Sequence, residues 1–146
     1  MKFATKALVA GLILAGGVAV AKEGVQDPTV KARMDLMGVQ SHSVKILMEF
    51  AQEKNAFDAA AAEAARADLL ASAKDIAAKF EPQATDPVTD ALPEIWTQWD
   101  DFVAKSNDLV KAAEAVDTTT LAGVQAGMMA VGGACKECHS TYRVKR

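Results

Sequence analysis

Apolar positions recur along most of this chain at alternating spacings of four and three, the period of helices that bury one face against shallowly crossing neighbours. The first such stripe is Val30, Met34, Met37, Ser41, Val44, Met48 and Ala51, behind Asp27 and Pro28, which stand where a capping carboxylate and a first-turn proline belong. An Ala-rich stretch from Asp58 to Phe80 offers Ala62, Ala65, Leu69, Ala73, Ile76 and Phe80 as a second inward face, small enough for a partner helix to approach closely. Pro82, Asp86, Pro87 and Asp90 then break the pattern between Glu81 and Leu92, marking the longest connection. Pro93 opens a third helix with Ile95, Trp99, Phe102, Ser106, Leu109, Ala113 and Val116 inward, and Thr118 to Thr120 begin a fourth. Its stripe is Leu121, Val124, Met128, Val131, Cys135, Cys138 and Tyr142. Strong helix formers dominate the composition outside the Pro-containing segments, so the reading is an all-α domain.

The one segment whose spacing specifies a definite chemistry is Cys135-Lys136-Glu137-Cys138-His139. On a helix the two thiols lie on one face with the imidazole one turn from the first, so two thioether bonds and one axial ligand can meet a single porphyrin: covalent haem attachment. A disulfide, a redox dithiol or half a zinc site would use only part of the motif; the chain has no further cysteine and no βαβ pattern around it. Since the stripe turns both thiols toward the other helices, the haem is expected inside the bundle. Gly132 and Gly133 cost about 1 kcal/mol each at helix-interior positions, a cost that close approach of the ring to bare backbone would offset.

Lys2 and Lys6, the apolar run from Ala7 to Val20 and Ala19-Val20-Ala21 read as a secretory signal spanning residues 1–21. The run is too short for a good membrane span, and no later stretch approaches the ~20 apolar residues that spanning needs. Residues 22–146 then form one domain in an oxidising compartment, the periplasm, with both thiols consumed by haem. The whole chain carries a formal charge of −3; without Lys2 and Lys6, 14 basic residues face 19 acidic ones, near −5. That balance argues against nucleic acid and against insertion at an anionic membrane surface, and favours a basic redox partner.

On these residues the chain resembles the class II cytochromes c, which include cytochrome c′ and the low-spin cytochrome c-556. The resemblance covers the whole mature chain, and a motif near the C-terminal end requires any second iron ligand to come from upstream. It implies an antiparallel up-and-down four-helix bundle, for which cytochrome c′ is itself a standing example. It also implies Arg33 near a haem propionate, with Met37 four positions later on the distal side of the iron. Pro93-Glu94-Ile95-Trp96 matches the family's start of the third helix, placing Trp96 at the cofactor. Phe80 is expected to border the ring, and Arg143 to stand one turn beyond His139 on the proximal side. Relatives often pair through their first two helices, so a homodimer is implied.

Two functions follow. With Met37 as sixth ligand opposite His139, the single haem c is a one-electron carrier and the protein is no enzyme. With Met37 merely packed beside the ring, the iron is five-coordinate and binds NO or CO, as in cytochrome c′. A peroxidase-like role lacks a distal His with a paired Arg. Met34, Met48, Met128 and Met129 are read as core, and His42, about 140° round the helix from Met37, as a partly exposed side chain. Asp100, Asp101, Lys105 and Asp108 are read as a solvated face.

Overall fold

The structure, a computed structural model, describes residues 24–145; the export signal lies outside them. Six helices run in order: α1 (Pro28–Ala51), α2 (Ala59–Lys74), α3 (Ile76–Phe80), α4 (Glu94–Thr97), α5 (Trp99–Glu114) and α6 (Leu121–Tyr142). They make four rods of an antiparallel up-and-down bundle, because α3 continues α2 after an interruption at Asp75 and α4 leads into α5 after one at Gln98. Around the bundle α1 packs on α2, α2 on α5, α5 on α6, and α6 on α1.

Capping fixes where the rods begin. The Asp27 carboxylate accepts from the Thr29 and Val30 amides, Asp58 from those of Ala60 and Ala61, and the Thr120 hydroxyl from Gly123, each satisfying N–H groups that the helix leaves over. At the end of α1, Lys54 donates to the Glu49 carbonyl and Glu53 to that of Phe50. This is a Schellman stop, with Glu53 in the left-handed position, φ 55°, that glycine usually fills. The sequence gives no glycine there to announce it.

The second stripe is buried throughout, from Ala62 to Phe80. So are Ile95, Phe102, Ser106, Leu109, Ala113 and Val116, and in α6 Val124, Met128, Val131 and Tyr142. The first stripe needs correction: the residues α1 buries most are Val30, Arg33, Gln40, Ser43, Leu47 and Phe50, a seam turned about one position round the helix. Met34 is 46% exposed, and Met129, also expected in the core, is 83% exposed. Gly132 and Gly133 are exposed, and a Cβ on either would meet no atom within 4 Å. The close contacts are instead at Gly123 and Gly127, where a Cβ would lie 2.5 Å from the Asp117 carbonyl and 2.9 Å from Val116. These two glycines let α6 start tightly against the connection that follows α5.

The long connection, residues 81–93, is tied at both sides. Asp86 accepts from the backbone of Gln26, Asp27 and Val88, amides that hold its carboxyl below the usual range. Leu92 donates to the Tyr142 carbonyl and Val144 to that of Asp90, around a single antiparallel bridge between Ala91 and Arg143. One loop therefore fastens the start of α1 and the end of α6.

Candidate functional site

A cavity of 430 Å³ opens between α1, α3, α5, the 81–93 loop and the C-terminal half of α6. It brings together Cys135, Cys138 and His139 from α6 with Arg33, Met34, Met37 and Gln40 from α1; Phe80 and Arg143 also line it. Its size lies within the range of small-ligand and cofactor pockets. Trp96 is not among the lining residues and stands behind them. Its indole N–H donates to the Phe80 carbonyl at 2.7 Å, and its ring holds the Arg33 guanidinium at 5.1 Å from the centroid. His42 is exposed and does not line the cavity.

The motif presents a consistent set of protonation states. Cys135 and Cys138 are half-buried free thiols. Burial raises both, that of Cys138 to about 11 with Cys135 adding to the effect. A redox dithiol needs the opposite, a stabilised thiolate. Partial desolvation of His139, which keeps an exposed surface, with the Arg143 charge second, lowers its pKa and so favours the neutral imidazole, the form that binds a metal. Among the described residues no group of three or more His, Cys, Asp or Glu side chains could hold a bare metal ion. Two thiols, one neutral imidazole and a cavity walled by Val30, Val44, Phe80, Ile95 and Leu109 suit a large apolar ring whose iron needs one strong protein ligand.

Arg33 is 3% exposed. Its Nε donates to the Lys79 carbonyl at 3.0 Å and Nη1 to that of Ala84 at 3.1 Å, while Nη2 donates to Pro82. The guanidinium also lies between the Phe80 and Trp96 rings, 5.0 Å from the first. Burial lowers its pKa, with Asp27 opposing. Arg33 thus holds the turn after α3 in place while facing the cavity, a bracing role the sequence did not suggest.

Two residues read as part of a solvated face also belong here. Lys105 lines the cavity, 3.7 Å from Asp101, and Asp101 accepts a 2.5 Å bond from the Tyr142 hydroxyl. The missed signal was their place beside the buried stripe, Asp101 next to Phe102 and Lys105 next to Ser106. Burial, then the bond to Asp101 and its charge, pushes Tyr142 up to about 12. Since the folded value lies above the unfolded ~10, the stability Tyr142 contributes is present below pH ~10 and lost as pH rises toward 12. Tyr142 is the only tyrosine in the chain, so its ultraviolet titration should show one tyrosinate appearing near 12. A midpoint near the ordinary value would mean that Tyr142 is neither buried nor bonded to Asp101 in solution.

The model of the cytochrome c′ family matches residues 28–143. Cytochrome c-556 of Agrobacterium fabrum is 34% identical over 149 aligned residues, covering 100% of this chain and 97% of that protein. Cytochrome c′ from Rhodobacter sphaeroides superimposes with a TM-score of 0.74 at 30% identity, over 81% of this chain and 96% of that one. Oxidised cytochrome c556 from R. palustris does so with 0.73 at 26% identity, over 83% and 99%. With its four-rod bundle, its terminal Cys-Lys-Glu-Cys-His motif and these relatives, the chain belongs to the cytochrome c′ family of class II c-type cytochromes, which carry covalently attached haem c.

Proposed function

We propose that this protein is a periplasmic one-electron carrier whose haem is attached through Cys135 and Cys138, with His139 and Met37 as the axial ligands of iron. The observation that carries the reading is that Met37 and His139 line one cavity from two different helices, α1 and α6. Bound haem supplies the ferric/ferrous couple. The protein's part is to keep both ligand side chains in place during transfer, so that little reorganises. On the α6 side, His139 is one turn from the bridge between Arg143 and Ala91, and the Arg143 carbonyl-side neighbour Val144 is bonded to Asp90. On the α1 side, Met37 is half-buried against the core, and Arg33 one turn before it is fixed by three carbonyls. The remaining proposals are export by residues 1–21 and a separate redox partner protein; pairing of two copies follows the resemblance alone. Among the described residues no helix is long and apolar enough to cross a membrane.

Two measurements on natively matured protein test this. Denatured mass should exceed the residue 22–146 polypeptide by one haem, and both ferric and ferrous forms should be low-spin at neutral pH. Unmodified polypeptide would end the attachment assignment. A high-spin ferric form would transfer the reading to a five-coordinate haem that binds NO or CO.

A further inference from the structure

Gln40 is 7% exposed, lines the cavity, and its Nε2 is buried without a hydrogen-bond partner. A buried amide N–H left unpaired is costly, and buried polar groups in folded proteins nearly always find an acceptor. Other donors around the cavity are already committed to protein acceptors: Arg33 to three carbonyls, the Ser106 hydroxyl to Val103, and the Tyr142 hydroxyl to Asp101. Gln40 is the buried donor there with none.

Its place on α1 indicates where the acceptor lies. Gln40 follows Met37 by three residues, so the two occupy neighbouring turns of one face, with Cβ atoms about 5–6 Å apart. Helical side chains lean toward the N-terminal turn, which for Gln40 is the turn that carries Met37. We infer that Gln40 is a distal positioning residue, its Nε2–H donating to whichever atom takes the sixth position on the haem iron. With Met37 bound, the acceptor is the remaining lone pair of its sulfur. With CO bound, it is the distal ligand itself. The inference rests on haem lying in this cavity, and holds whether or not Met37 is the native ligand.

The test compares the ferrous CO complexes of Met37→Ala and of Met37→Ala/Gln40→Leu holoprotein by infrared spectroscopy and CO binding. Loss of the donor should raise the C–O stretching frequency and weaken CO binding about 2- to 10-fold, the scale of one net hydrogen bond. Unchanged frequency and affinity would overturn the inference. A packing role alone would move the melting temperature and leave the stretch where it is. If the leucine variant does not fold, Gln40→Ala serves in the same comparison. If wild-type iron is already high-spin, the electron-carrier reading fails separately, and wild type against Gln40→Leu then gives the CO comparison directly.

Discussion

Met37→Ala should convert the iron from low-spin to high-spin and let CO bind readily to the ferrous form. On the proposed ligation, a protein ligand must leave the wild-type iron before gas can enter. Apparent affinity is the intrinsic affinity multiplied by the fraction of molecules with the site open; if that fraction is about 1%, opening it permanently strengthens CO binding about 100-fold. Met34 is the internal control. It lines the same cavity but is 46% exposed and is not one of the residues that α1 buries, so Met34→Ala should leave the spin state and the CO rate near those of wild type. A ferric spectrum of Met37→Ala indistinguishable from wild type would remove Met37 from the iron.

Arg33→Ala should be the most destabilising single change among the cavity residues. It deletes three hydrogen bonds from a charged donor, leaves the Lys79, Pro82 and Ala84 carbonyls without that donor, and removes the slab between Phe80 and Trp96. Against this stands relief of the cost of burying a cation, so a net loss of about 3 kcal/mol is expected, or roughly 10 °C in Tm for a domain of this size. Arg33→Lys should recover little, because one ammonium cannot match a planar fork bonded to three acceptors and stacked on two rings. Thermal unfolding of the holoprotein decides it. A fall of less than about 2 °C would show that the turn after α3 is held by other contacts.

Hydropathy revealed the second, third and fourth rods because mostly apolar residues fill their inward rows at helical spacing. It misread the first for a physical reason. The seam that α1 buries includes Arg33, Gln40 and Ser43, whose burial depends on partners far away in sequence. Val30, Met34, Met37, Ser41 and Val44, which form the more apolar row, are the wall of the cavity. The stripe was therefore a binding surface read as core. The haem motif was legible because two thiols and a histidine at fixed spacing have few other uses. The fastening of the 81–93 loop was not, since Asp86 and Asp90 act on or through backbone groups about 50 or 60 residues away, and no local pattern encodes that. Glu53 hid the stop of α1 by occupying a glycine's conformation without being one.

The facing of α1 and α6 across the cavity also bears on the entropy of the unfolded chain. Met37 and His139 are 102 positions apart, yet a single group bonded to both would join them. On the proposed ligation the cofactor would be a cross-link closing a loop of about 100 residues, for which the chain-entropy treatment of disulfides gives roughly 4.7 kcal/mol. An iron–thioether bond is reversible, so this is a ceiling. The sixth ligand would then be a staple as well as a means of tuning the iron.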